Sequence, residues 1–216
     1  MSSKVTNFIL LGITLLVVVA GAVAYPTLPD QVASHWNAAG EANGYMGKFW
    51  GIFLLPLVMA GMFLVYFFIP KIDPLRKNIE SFRPTYNIFW IWMFVFLAYI
   101  FSLSMAWNFG YQFNFTMAIV PAVAVLFYVI GGVLEKSKRN WFFGIRTPWT
   151  LSSDVVWDKT HKLGSKLFKA VALVSLVGMF AQGSYIIAAV AIPVVLVTIV
   201  TIVYSYIEYR KQNGSA

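Results

Sequence analysis

The chain has 216 residues, 60% of them hydrophobic and 11% charged, with a mean hydropathy of +0.75. A soluble domain is about a quarter charged, so this composition excludes an ordinary water-soluble fold and makes lipid the solvent for most of the chain. The net charge of +8 is explained by the placement of cations in loops, with no direct nucleic-acid contact expected, and zero cysteines exclude disulfides and Cys-ligated metal centres.

Six apolar segments, roughly residues 7–25, 49–70, 85–107, 115–134, 166–181 and 185–207, approach or reach the ~20 residues that a helix needs to cross a bilayer. The first follows Lys4 and ends in Ala22-Val23-Ala24, which mimics a secretion-signal cleavage site; it is read as a retained span. The fifth is poorest in apolar residues. It either borrows length from a preceding amphipathic helix or pairs with the sixth span around Gln182–Ser184. Mid-span positions carry only weakly polar groups such as Thr14, Tyr66, Ser102, Ser175 and Thr201, which speaks against an ion-coupled transporter. Pro56, Pro121 and Pro193 are positions where three spans can kink.

Lysine and arginine are unevenly placed. Lys4, the loop 71–83, the loop 136–169 and the tail hold fifteen of the sixteen, and the other side holds only Lys48. The positive-inside rule therefore puts both termini in the cytoplasm, N-in and C-in with about six spans, and the protein in the cell membrane as a multi-pass chain in contact with membrane lipids. The expected architecture is all-α, with a cytoplasmic amphipathic helix. It divides into an N-terminal membrane hairpin, 1–84, with an extracytoplasmic segment 26–48, and a four-helix region, 85–216, with a cytoplasmic loop 135–169.

The segment 26–48 contains Pro26, Pro29, Gly40, Gly44 and Gly47, too many breakers for a long helix, although Asp30–Trp36 can form a short one capped by Asp30. His35, Trp36, Asn37, Gly44 and Tyr45 are its recognition candidates, able to stack and hydrogen-bond to a peptide or headgroup. The competing reading is an interfacial lid anchored by Trp36 and Tyr45, with His35 capping a helix end.

The long polar island runs from Lys138 to Leu167. Its first half sets Trp141, Phe142, Phe143 and Trp149 among Lys138, Arg139 and Arg146, a pattern suited to headgroups and phosphates. Pro148 then forces a turn, Ser152 or Ser153 can cap a helix, and Asp154 complements its dipole. Asp154, Asp158 and His161, at i, i+4 and i+7, are expected to share one face. They form a carboxylate–imidazole cluster, the candidate acid–base or metal group of a membrane-embedded enzyme acting at the cytoplasmic face. One histidine flanked by Lys159 and Lys162 fits capping, ion pairing or a partner contact better, so no metal and no cofactor is expected.

The run NWFFGIRTPWTLSSDVVWDKTHKLG, Asn140 to Gly164, resembles the signature of the SdpI family, multi-spanning bacterial immunity proteins that act against a secreted, membrane-damaging toxin. LPDQVASHWNAAGEANGYMGK, Leu28 to Lys48, resembles the HWN-type extracytoplasmic domain of unknown role that often precedes it. The resemblance implies a non-enzymatic immunity protein with a peptide toxin as partner, and in some members a cytoplasmic transcriptional repressor recruited to the membrane. It singles out Asn140, Trp141, Phe143, Gly144, Arg146, Thr147, Pro148, Trp149, Asp154, Trp157, Asp158, His161 and Gly164 as signature or partner-binding residues.

Overall fold

The computed structural model describes residues 2–181 and 183–214. Helix α1 (Ser3–Ala24) leads through a short 3-10 turn into strands β1 (Gln31–Trp36) and β2 (Ala42–Gly47), and α2 (Lys48–Ile72) returns across the molecule. A short α3 (Arg76–Ser81) precedes α4 (Arg83–Asn108), and α5 (Phe115–Leu134) ends in the polar island. There a five-residue α6 (Pro148–Ser152) introduces α7 (Asp154–Gly178), and α8 (Ser184–Asn213) closes the chain.

Contacts define two opposite ends. At one end the hairpin meets the end of α4 and the start of α5: Asn108 brackets Ala33 through the backbone N–H and C=O, and the Thr116 hydroxyl donates to Asn37 O at 2.9 Å. At the other, Asp73 and Asn78 bond the backbone of the polar island, and Ser153 of the α7 cap donates to Gln212 near the end of α8. Helices α1, α2, α4, α5, α7 and α8 thus run alternately between a hairpin end and a basic end, with the start of α1 and the end of α8 at the basic end. The core that fixes α1, α2 and α4 includes Leu10, Val17, Ile52, Met59, Tyr66, Phe94 and Phe101. Outward positions on the long helices are largely bulky and apolar, for example Phe8, Leu64 and Val177, as a surface solvated by lipid requires.

Five of these helices, all but α7, have the length and hydropathy to span a membrane. The expected fifth span, 166–181, is not a separate element. α7 is one continuous 25-residue helix that fuses the predicted amphipathic helix with the fifth span, because between Asp154 and Gly178 it has no proline and only one glycine, Gly164, which a helix tolerates. Its four lysines, Lys159, Lys162, Lys166 and Lys169, lower its hydropathy while its last turns carry only small or apolar side chains. Of the expected Gln182–Ser184 turn, Gln182 lies outside the described residues.

The expected short helix at Asp30–Trp36 is instead β1, paired antiparallel with β2 from Gln31↔Gly47 to Trp36↔Ala42 with irregular register around His35. Its turn explains why. The Asn37 carboxamide oxygen accepts from the backbone N–H groups of Ala39 and Glu41, and Gly40 sits at φ +79°, so the chain reverses where a helix would continue. Asp30 forms a salt bridge with Lys48 instead of capping a helix.

Candidate functional site

The polar island folds into a closed knot that caps the basic end. Asn140, fully buried, uses all its side-chain capacity on its own loop: Nδ2 donates to the carbonyls of Lys138 and Phe143, and Oδ1 accepts from the N–H groups of Phe142 and Phe143. Phe143 thereby points into an aromatic nest, 4.8 Å from Phe89 and 5.8 Å from Tyr86 between ring centroids. The Trp141 N–H donates to Asp73 Oδ2 at 2.9 Å, while the Trp141 ring remains half exposed.

After this knot the backbone turns at Gly144 with φ +112°, and a Cβ there would sit 2.5 Å from His161 Nε2. Glycine is required twice over, by conformation and by space. The following Ile145 N–H donates to His161 Nε2 at 2.9 Å, and His161 Nδ1 lies 2.9 Å from Trp157 O. The two bonds assign the proton to Nδ1 and leave no ring nitrogen free. Burial pushes the His161 pKa down to about 4, against smaller opposing effects of the Trp157 carbonyl and Asp158. Its ring stacks on Trp157 at 4.0 Å, and Trp157 Nε1 donates to Ser137 O. Gly164, one turn beyond His161, is where a Cβ would meet Ile145 Cδ1 at 2.5 Å, so the loop lies directly on α7.

Thr147 caps α6 in a reciprocal box with Thr150, with Pro148 at the first helical position, and the Thr147 hydroxyl lies 3.0 Å from Ser205 Oγ on α8. Trp149 packs on Tyr206 at 5.1 Å. Ser153 caps α7, as one of the two expected serines. Arg146 is exposed and donates through Nη1 to Trp141 O at 2.7 Å.

Asp154, Asp158 and His161 do not act as one cluster. Asp154 pairs with Arg139 at 2.7 Å and Asp158 with Lys138 at 3.5 Å, both partly exposed, whereas His161 is sealed beneath the loop. A seven-residue step turns the helix face by only about 20°, so cover makes the difference: the Gly144–Ile145 backbone lies over the His161 turn, while the acids pair with Arg139 and Lys138 beyond its edge. Among the described residues no group of three or more His, Asp or Glu side chains can hold a metal ion.

Three acids that the sequence reading passed over carry much of the construction. Asp73, buried, accepts from the N–H groups of Leu75 and Trp141 and so ties the α2 end to the knot. Glu208, also buried, receives Lys159 at 2.6 Å and Lys211 at 3.1 Å. Glu135 is held below its usual carboxylate range by Lys169 at 2.8 Å. Their signal was present as the few acids within a strongly basic set of loops, which a count of lysine and arginine alone ignores.

At the hairpin end, Trp36 lies flat on Phe115 at 3.7 Å and edge-on to Trp107, and Tyr45 is exposed. His35, opposite Gly44 in the strand register, shares a 2.6 Å hydrogen bond with Asn43 and does not cap a helix end. Asn37 is consumed by its turn and by Glu41, so it offers little to a ligand.

Residues 136–205 match the SdpI/YfhL protein family, and residues 12–60 match a domain of unknown function (DUF1648). The chain is 27% identical over 209 residues to the immunity protein SdpI of Bacillus subtilis (strain 168), covering 97% of this chain and 98% of that relative. No solved structure matches. The resemblance carried by residues 140–164 therefore extends over nearly the whole chain, which is a multi-pass, SdpI-like protein of the cell membrane.

Proposed function

We propose that the chain is a membrane immunity protein that protects its cell against a secreted, membrane-active peptide toxin. The observation that carries this reading is the end-to-end similarity to an immunity protein, since a match over 97% of the chain includes the hairpin and the knot together with the spans between them. In this reading the 1–84 part presents the hairpin outside, the 85–216 part presents the knot to the cytoplasm, and the exposed pairs Asp154–Arg139 and Asp158–Lys138 are contacts for a repressor. The fifteen cations of the basic end support that orientation. The enzymatic alternative is weakened because both nitrogens of His161 are engaged by backbone groups and the two carboxylates are ion-paired elsewhere.

The test is expression in a toxin-sensitive strain challenged with candidate membrane-active peptides. Survival against at least one peptide, lost when the chain is absent, is the expected result. Equal killing by every peptide, with the protein shown to be in the membrane, removes the immunity reading.

A further inference from the structure

Two clefts flank the knot where it rests on α7. One, about 270 Å³, is apolar and lies toward α4 and α5, with Phe89, Ile130 and Phe142 in its wall. The other, about 310 Å³, lies toward α8 and is walled by Val197, Thr198 and Ile202, with Arg146 at its rim. They share Gly144, Ile145 and Phe168, so they form two adjacent grooves straddling one ridge. On α8, Thr198 and Ile202 lie about 21 and 27 Å along the helix axis from Ser184, at a rise of ~1.5 Å per residue. The α8 groove thus occupies the last part of a ~30 Å hydrocarbon layer and opens toward its boundary at the basic end.

Charge completes the description. Six of the fifteen cations at this end, Arg83, Lys138, Arg139, Lys159, Lys169 and Lys211, are paired with carboxylates. Arg146 has no carboxylate partner among the described residues. One of its donors is used on Trp141 O, which fixes the guanidinium at the head of the ridge and leaves the rest of its fork without an acceptor there. A guanidinium matches a phosphate bidentately, and at a membrane boundary that phosphate belongs to lipid.

We propose that this ridge is a binding site for one anionic diacyl phospholipid of the leaflet at the basic end, its phosphate on Arg146 and one acyl chain in each groove. Two chains fit because there are two grooves with one wall in common, and an anionic headgroup is selected because the local cation lacks a countercharge. The site does not depend on the immunity reading.

The experiment is native mass spectrometry of the purified full-length protein in detergent, titrated with dioleoyl phosphatidylglycerol, dioleoyl phosphatidylcholine and single-chain lyso-phosphatidylglycerol. The wild type is expected to retain the diacyl anionic lipid with at least tenfold preference over each of the others. Arg146→Gln removes the preference over phosphatidylcholine, and Arg146→Lys keeps part of it. Thr198→Trp, an exposed position that fills the α8 groove, reduces the diacyl lipid to the level of the single-chain lipid. Equal retention of all three lipids by the wild type means annular lipid only and overturns the site. A preference that survives both Arg146→Gln and Thr198→Trp also overturns it, since the lipid then binds elsewhere. If Arg146→Gln fails to fold, the wild-type comparison and Thr198→Trp decide.

Discussion

His161 shows how one side chain holds the site together. It is a latch rather than a chemical group: the neutral ring accepts from Ile145, bonds the Trp157 carbonyl and fills the space left by Gly144. Protonation would replace the acceptor at Nε2 by a second donor facing an N–H group. The folded pKa of about 4 lies below the unfolded value, so the unfolded chain takes up the proton first as pH falls. The contribution is complete above pH 6.5, declines between 6.5 and 4 and is exhausted below that, with a total on the order of 3 kcal/mol. Thermal unfolding in detergent is therefore expected to show falling stability across this window in the wild type. His161→Gln, which keeps an acceptor but does not titrate, should flatten it. An unchanged slope between pH 6.5 and 4.5 in the variant would assign the effect to other groups.

At the scale of elements, hydropathy marks the helices far better than it marks the hairpin. The apolar runs of α1, α2, α4, α5 and α8 are visible because burial in lipid demands an uninterrupted stretch. α7 is harder to see, since lysines that reach the boundary occupy the same helix as its apolar end, and a window average mixes the two. The hairpin was invisible for another reason. β1 is only six residues long and buries Val32 and Ala33 in succession, so it lacks the alternation by which a half-buried strand is recognised. In the knot, residue types were legible but directions were not: spacing alone could not say that His161 points inward while Asp154 points to solvent. The absence of native cysteine makes the disposition of these elements testable. Single cysteines at Glu41 and Asn43, exposed in the hairpin, should react with an impermeant maleimide in intact cells, and those at Lys136 and Lys162 only after permeabilisation. Labelling of Lys136→Cys from outside reverses the orientation.

Across the whole molecule, the two surfaces beyond the spans differ in charge. The hairpin end has Lys48 against Asp30 and Glu41, whereas the basic end has fifteen cations against six acids. If these surfaces have separate tasks, their variants should separate too. Trp36→Ala, which empties the stack on Phe115, is expected to lower survival under toxin at least several-fold. Asp158→Ala, which breaks only an exposed pair with Lys138, is expected to leave survival near wild type while abolishing co-purification of a cytoplasmic partner. Loss of survival in Asp158→Ala, with wild-type membrane levels, would join the two tasks at the basic end.

The continuity of α7 also has a consequence for how the chain enters the membrane during synthesis. With four lysines ahead of its apolar end, α7 is a poor substrate for insertion by itself, and the strongly apolar α8 follows after only a few residues. The ribosome must therefore deliver the two as a pair, α8 drawing α7 across as it partitions into lipid. Alkaline phosphatase, active only outside the cytoplasm, reports the difference. Fused in place of everything after Gly183, it should remain inactive, because α7 without α8 stays on the cytoplasmic side; inserted at Gly183 with α8 retained, it should become active. Strong activity in the truncated fusion would show that α7 crosses unaided.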